Sequence, residues 1–434
     1  MIDKVLKNLK IVALNEMQLA SLKALKNGGN VVLLSPTGSG KTLGFLLPIL
    51  EKLKPEENHV QALIIAPSRE LAIQIEQVFK MMGTGFKANC CYGGHPMKIE
   101  KNNLEHAPAV LIGTPGRILA HLKAGNFKTD SIETLVLDEF DKALELGYQR
   151  DLSSIIDHLQ NLKSRILTSA TKADEIPAFT GIKSAVELNF LSNTPSQNLT
   201  LKVVISDGKD KLQALFSLIC KLGNKPTLIF CNHRDAVERI SNLLWEKDII
   251  HGVFHGGLEQ EDRERALIKF RNGSFRMLIT TDLASRGLDI PEIENVIHYQ
   301  LPPTEIAFIH RNGRTARMHA QGTSFIVLAE NEEKPPYLNE LPNIEELPTK
   351  NVVPENSQWE TLYIASGKKD KINKIDIVGL LLQKGKLKKE ELGLIEVLDY
   401  SSFAAVSRNK INQVVALIKN EKIKKKMVKM EIAR

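Results

Sequence analysis

Val31-Val-Leu-Leu-Ser-Pro-Thr-Gly-Ser-Gly-Lys-Thr42 is the stretch on which the reading of the chain turns. Four apolar residues, two of them β-branched, read as a buried strand, and the glycine-rich turn behind them must lead into a helix. Glycines at 38 and 40 let backbone N–H groups wrap phosphate oxygens that bulkier residues would obstruct. Lys41 can reach the outer phosphates of a nucleoside triphosphate, and the Thr42 hydroxyl can sit on Mg²⁺. The helix that follows turns its positive end toward the same anion. Pro36, Thr37, Gly38, Ser39, Gly40, Lys41 and Thr42 therefore form a candidate site for a nucleoside triphosphate with Mg²⁺, although Ser35 stands where the strict pattern has a glycine.

Working outward, short apolar runs recur, each followed by a turn residue and a helix-like segment. In the first half they are Val31–Ser35, Ala62–Pro67, Val110–Thr114, Thr134–Asp138 and Ile166–Ser169. The second half repeats the scheme with Thr227–Cys231, Val253–His255, Met277–Thr281, Val296–Tyr299 and Ser324–Leu328. Strands alternating with helices imply parallel βαβ units covered on both faces, hence two α/β domains that part near Leu199–Lys211. Ligands gather at the carboxyl ends of such strands. Val136-Leu-Asp-Glu-Phe-Asp141 ends a strand in acids: Asp138 can hold a metal, and Glu139 can orient and deprotonate a water.

The remainder differs in texture. Residues 332–357 hold five prolines among many acids and read as a linker. Beyond them Thr361–Ala365, Ile375–Gln383, Ile395–Leu398, Phe403–Ser407, Ile411–Lys419 and Lys426–Ile432 follow the βαββαβ order of an RRM-like module. From Ser366 to Arg434 there are 17 Lys and Arg against 8 Asp and Glu, a local +9. The whole chain carries +7, so the rest carries −2. Such asymmetry points to a basic appendage meeting a polyanion. The start of the chain has lysines but no uninterrupted apolar run, so no signal peptide is expected, and nothing approaches the ~18 consecutive apolar residues of a membrane span. Cys90, Cys91, Cys220 and Cys231 show no metal-binding spacing, which suits reduced thiols in a cytoplasmic protein.

These segments, in order, resemble the DEAD-box family of helicases within superfamily 2 across residues 11–329. The phosphate loop resembles motif I, and Asp-Glu-Phe-Asp141 resembles motif II, with Phe140 where alanine is usual. Pro67-Ser-Arg-Glu-Leu-Ala72 looks like motif Ia, Gly93-Gly94 the glycine pair, Thr114-Pro-Gly-Arg117 motif Ib and Ser169-Ala-Thr171 motif III. Leu228-Ile-Phe-Cys-Asn232 is similar to motif IV, and Gln260 with Arg263 to the QxxR element. Thr281-Asp-Leu-Ala-Ser-Arg-Gly-Leu-Asp289 is similar to motif V, and His310-Arg-Asn-Gly-Arg-Thr-Ala-Arg317 to motif VI apart from Asn312 and Ala316. Gln18 fits the adenine-sensing glutamine of the family, whereas Ile11 replaces the aromatic that usually stacks on the base.

The resemblance implies two tandem RecA-like domains with parallel sheets, residues 1–200 and 201–331, followed by the linker 332–357 and a small α+β RRM-like RNA-binding domain, 358–434. It implies an ATP-dependent RNA helicase in which Arg314 and Arg317 act as arginine fingers on the γ-phosphate and Asp289 holds the ribose. Ser169, Thr171 and His310 would couple the domains. Pro67, Arg69, Gly94, Thr114 and Arg117 in the first domain, with Arg234, His255, Gly256 and Thr281 in the second, would contact the RNA backbone, because a motor must ignore base sequence. The tail resembles that of DbpA-type bacterial helicases, which implies ribosomal RNA as partner for a monomeric enzyme. Within it Tyr363 and Phe403 fall on the stacking strands, but Ala405 replaces a stacking aromatic, so Lys368, Lys369, Lys371 and Lys424–Lys426 are expected to dominate. An RNA-dependent ATPase clamp and a catalytically degenerate RNA scaffold are the rival readings.

Overall fold

The computed structural model describes residues 1–434 except 37, 95, 173–174, 192–197, 286–292, 317–320, 339, 425 and 434. Seven strands build the first unit: β1 (Gly29–Leu34), β2 (Ala62–Ile65), β3 (Ala88–Cys91), β4 (Val110–Gly113), β5 (Thr134–Leu137), β6 (Ser164–Ser169) and β7 (Val186–Asn189). They lie in the order β3-β4-β2-β5-β6-β1-β7, and every neighbouring pair is parallel. The apolar runs are continuous because both faces are buried. Val31, Leu33, Ile64, Ile112 and Val136 pack on one face under the helix Lys41–Lys52, while Leu63, Leu111, Leu135 and Leu137 pack on the other.

The second sheet consists of β8 (Leu199–Ser206), β9 (Thr227–Phe230), β10 (Gly252–Phe254), β11 (Met277–Thr280), β12 (Asn295–His298), β13 (Gly322–Ala329) and β14 (Asn343–Ile344). Its order, β10-β11-β9-β12-β13-β8-β14, is the first sheet's permutation shifted by seven strands. The chain thus uses one architecture twice. Sequence periodicity had found five strands per half. Of the strands it missed, β3, β7 and β14 lie at sheet edges, are short and carry no long apolar run. The stretch Leu199–Lys211, near which the two domains were expected to part, holds β8, a full strand beside β13 in which Thr200 and Lys202 interrupt the apolar pattern.

The segment 332–357 is not the free tether its composition suggested. Asn343 and Ile344 extend the second sheet, Tyr337 donates to the Pro302 carbonyl at 2.5 Å, and Leu338 is buried. Its acids meet lysines of the domain they cross: Glu332 pairs with Lys211 at 2.8 Å, and Glu345 with both Lys202 and Lys221 at 2.6 Å.

The tail forms β15 (Trp359–Ile364), β16 (Leu392–Val397), β17 (Ser402–Ser407), a small hairpin of β18 (Lys422–Ile423) and β19 (Lys426–Met427), and β20 (Met430–Ile432). Its antiparallel sheet has the order β16-β17-β15-β20, with helices Lys374–Gly379 and Ile411–Ile418 between strands as expected. The last strand is shorter than the expected Lys426–Ile432, because Lys426 and Met427 pair within the hairpin instead. Lys425 lies outside the described residues.

One face of this sheet is closed by the helix Gln260–Arg271 of the second domain. Phe403 and Ala433 pack on Ile268, and the Tyr363 ring lies 5.4 Å from that of Phe403. Polar bonds surround this contact. Ser274 Oγ lies 2.6 Å from Thr361 Oγ1, Arg408 donates to the Ser274 carbonyl at 2.6 Å, and Arg271 pairs with Glu396 at 2.9 Å.

Candidate active site and RNA-contacting residues

At the end of β1 the phosphate loop turns through Gly38 (φ 83°) and Gly40 (φ 87°), the left-handed region that glycine enters at low cost. Lys41 begins the following helix and donates to the Ser35 carbonyl at 2.6 Å, while the Ser35 and Ser39 hydroxyls bond each other at 2.7 Å. Serine in place of the first glycine thus adds a brace across the loop. Asn15 caps the helix Glu16–Leu25 and donates to the Ser39 carbonyl, and Gln18 donates to the Gly40 carbonyl at 3.2 Å. The Gln18 carbonyl oxygen accepts from Asn15 N–H at 3.1 Å. Gln18 therefore fastens the phosphate loop, and Ile11 packs against the core of the first unit. Thr37 lies outside the described residues.

Asp138 follows β5 and is buried. Its carboxyl group is pushed up to about 6, first by burial and next by the Glu139 charge, against a hydrogen bond from Thr168 and the charge of Lys41. Glu139 takes a left-handed backbone (φ 47°), a conformation that costs a non-glycine residue about 1–2 kcal/mol. Its N–H holds that turn by donating to Asp138 Oδ1 at 3.2 Å and Thr168 Oγ1 at 3.1 Å. The Glu139 Oε2 atom is buried and, among the described residues, accepts no hydrogen bond. A buried acid pair with an unpaired oxygen fits a divalent cation and a water, both of which would relieve the crowded negative charge.

Motif III is bound to motif II. The Thr171 hydroxyl donates to Asp141 at 2.8 Å, and Ser169 Oγ donates to the Thr171 carbonyl at 2.5 Å. Phe140 leaves this contact undisturbed, because its ring turns into the core and lies 6.2 Å from Phe179. The size change beside Glu139 is absorbed by packing.

The expected RNA-contacting residues of the first domain come together at the ends of β2, β3 and β4. A Cβ on Gly94 (φ 105°) would fall 2.5 Å from Arg69 Nη1, so the glycine pair is the seat of that guanidinium. Thr114 N–H donates to the Cys91 carbonyl at 3.1 Å, and Pro67 is buried beside Arg69. Arg117 points elsewhere: its Nε lies 2.8 Å from Glu100 and 3.1 Å from the Tyr92 carbonyl.

In the second domain Arg234, His255 and Gly256 also adjoin. His255 bonds Glu238 at 2.9 Å and accepts from Gly257 N–H at 3.1 Å, and a Cβ on Gly257 would lie 2.7 Å from Arg234 Nη1. Gly256 is exposed, and Thr281 follows β11, its carbonyl accepting from Thr280. His310 and Arg314 are buried. Arg317 and Asp289 lie outside the described residues.

Sequence reasoning gave no role to Arg311, which is the hub of this domain. Fully buried, it donates to Asp282 at 2.6 Å, the Gln300 carbonyl at 2.7 Å and Asn232 at 2.8 Å, with its guanidinium 5.2 Å from the Phe230 ring centre. Motifs IV, V and VI therefore share one cation. Asn312, a departure from the family pattern, faces inward and accepts from Ser324 at 2.7 Å, with His298 at 3.0 Å. Thr168 was also missed, although a threonine inside the apolar run of β6 was a signal for it.

A phosphate loop, an acid pair and a bonded motif III at the carboxyl ends of a parallel sheet, with the same sheet repeated, define a protein of the RecA-like nucleoside-triphosphatase class. Family profiles agree in order along the chain: DEAD/DEAH box helicase over residues 15–179, Helicase conserved C-terminal domain over 210–319, and DbpA RNA binding domain over 361–432. The ATP-dependent RNA helicase DbpA of Escherichia coli (strain K12) is 30% identical, covering 99% of this chain and 96% of its own. Its namesake in Bacillus subtilis (strain 168) is 29% identical over 96% and 94%. The ATP-dependent rRNA helicase RRP3 of Encephalitozoon cuniculi is 34% identical over 73% and 80%. Among solved structures, S. cerevisiae Dbp5 bound to RNA and ADP BeF3 superposes with a TM-score of 0.68 at 27% identity, covering 76% of this chain and 88% of that one. Mss116p bound to ssRNA and AMP-PNP gives 0.69 at 26% identity over 76% and 72%. The chain belongs to the DEAD-box family of ATP-dependent RNA helicases, enzymes that hydrolyse ATP.

Proposed function

We propose that this protein couples ATP hydrolysis to local separation of RNA duplexes on ribosomal RNA, acting as a cytoplasmic monomer. The observation that carries the catalytic part is the buried Asp138–Glu139 pair beside the phosphate loop, with one Glu139 oxygen left for a ligand. Thr42 and Asp138 would hold Mg²⁺, which when bound offsets the negative charge of the phosphates. Lys41 and the backbone N–H groups of residues 38–42 grip the phosphates, and Glu139 orients the attacking water and takes its proton. Ser169 and Thr171, through Asp141, transmit the state of motif II. Arg314 and Arg317 supply positive charge to the transferred phosphoryl group, Asp289 holds the ribose, and His310 belongs to the same coupling set. Arg69, Gly94 and Thr114, with Arg234, His255, Gly256 and Thr281, contact the sugar–phosphate backbone, which keeps the motor indifferent to sequence.

The tail selects the RNA. Its Tyr363–Phe403 face packs on Ile268, so phosphates would be met by exposed lysines elsewhere on the tail, among them Lys368, Lys369, Lys371, Lys424 and Lys426, the last two also paired with Asp376 at 2.9 Å and Asp370 at 2.8 Å. Ribosomal RNA is favoured by the rRNA helicase among the relatives. A strand-displacement assay with a short duplex on a ribosomal or a random RNA of equal length tests the reading. Unwinding should need ATP, vanish in Lys41→Ala, and need less of the ribosomal substrate. Equal half-saturation on the two RNAs would overturn the ribosomal assignment, and ATP turnover without displacement would favour the clamp.

A further inference from the structure

A second buried polar cluster lies in the first domain, away from the phosphate loop. Glu100, on the helix Met97–Leu104, has its side chain 2% exposed. Its Oε1 accepts from Tyr92 N–H at 2.8 Å, and its Oε2 meets Arg117 Nε at 2.8 Å and His121 Nε2 at 2.6 Å. His121 is fully buried, and its Nδ1 lies 2.9 Å from Asn126 Nδ2. An amide donor at Nδ1 places the ring proton on Nε2 and makes the imidazole a donor to Glu100. Cys91, Glu100 and His121 bring ligand atoms within 4.8 Å of one another, a donor set that zinc could take. The Arg117 guanidinium already fills the cation's place, so the cluster is closed on itself.

We propose that Glu100, His121 and Asn126 are positioning residues that lock two RNA-gripping segments, Tyr92–Gly94 and Thr114–Arg117, into one surface, with Arg117 serving as the strut between them rather than as a phosphate ligand. The proposal rests on the reading that Arg69, Gly94 and Thr114 grip RNA. One carboxylate holds the backbone N–H of Tyr92 from one segment and the Arg117 side chain from the other, while Arg117 also reaches the Tyr92 carbonyl. Tyr92 directly precedes the glycines on which the Arg69 guanidinium sits, so a displacement there unseats Arg69 as well. A carboxylate suits the task because its oxygens accept three donors at once, which the amide of glutamine cannot do. His121 sets the lateral position of that carboxylate and Asn126 sets the ring.

RNA titrations of steady-state ATPase in the full chain, for Glu100→Gln, His121→Ala, His121→Gln and Asn126→Ala, test the relay, with Arg69→Ala as reference. Glu100→Gln and His121→Ala should raise the RNA concentration for half-maximal rate about tenfold, while kcat at saturating RNA and the KM for ATP stay put. Asn126→Ala, at the half-buried outer end, should show a smaller shift of the same kind, and serves if a core variant fails to fold. His121→Gln should recover most of the loss, because its amide can still donate to Glu100. An unchanged RNA requirement in Glu100→Gln and Asn126→Ala, with Arg69→Ala raising it, overturns the relay alone. An unchanged requirement in Arg69→Ala too overturns the RNA assignment and the relay with it. Equal loss of kcat and ATP affinity would make the cluster merely structural and also overturn the proposal.

Discussion

At neutral pH the Asp138 carboxylate is ionised in a buried pocket beside a second carboxylate, and its carboxyl group is pushed up to about 6 from an ordinary 3.8, by burial first and Glu139 second. A carboxyl group raised on folding stabilises the fold fully only below its unfolded value. That contribution is lost as pH rises through the folded value. Above pH 6 the ionised Asp138 therefore destabilises the ligand-free protein. Asp138→Asn removes the charge yet keeps an oxygen for the Thr168 hydroxyl and the Glu139 N–H. This variant should unfold at a higher temperature than the natural protein at pH 8 and lose turnover, and its advantage should shrink between pH 6 and pH 4. Thermal melts across that range check it; an Asn variant no more stable at pH 8 would show that burial there is relieved another way.

Among the elements, the helix Gln260–Arg271 carries two loads. Its first turn holds the Gln260–Arg263 bond at 2.5 Å, and its last turns carry the tail through Ile268, Lys269 and Arg271. Lys269 donates to the Ala433 carbonyl at 2.8 Å, and burial lowers its ammonium from the usual lysine range. Ile268→Asp would place a charge against Phe403, a change worth about 3–5 kcal/mol, far more than the surrounding polar bonds recover. Limited proteolysis should then cut between residues 345 and 360 faster than in the natural chain, while RNA-independent ATPase is kept. Cleavage at the natural rate would mean that the tail is held by something other than this face.

For the molecule as a whole, charge is divided by task. The tail carries +9 from Ser366 onward and the rest of the chain −2. With the aromatic face of the tail sheet closed, the lysines are left to recognise RNA, and binding should depend steeply on salt. Each phosphate neutralised on a single strand contributes about −0.7 to the log–log slope, so several contacts give a slope of about −3. Comparing residues 1–434 with 1–357 across a salt series, the shorter chain should lose most of that slope and the preference among RNAs. A shallow slope in the full chain, with strong sequence preference retained, would instead point to base readout by residues outside the lysine set.

Chemistry-bearing residues were legible in the linear chain because strand, glycine turn and acid pair are local patterns. Lys41, Asp138, Glu139, Ser169 and Thr171 occupy the strand ends to which their spacing assigned them. Internal strands other than β8 were legible for the same reason, since burial on both faces favours an unbroken apolar run, which Thr200 and Lys202 interrupt in β8. Edge strands β3, β7 and β14 were not, because they are short and carry no long apolar run. Only tertiary structure decided that Arg117 braces a loop, that Arg311 unites three motifs, and that Phe140 turns into the core. It alone also laid the acidic segment along its own domain and closed the tail's sheet on Ile268. In each case the outcome depends on which partner lies within about 3–4 Å across a fold boundary, a distance that no spacing along the chain encodes.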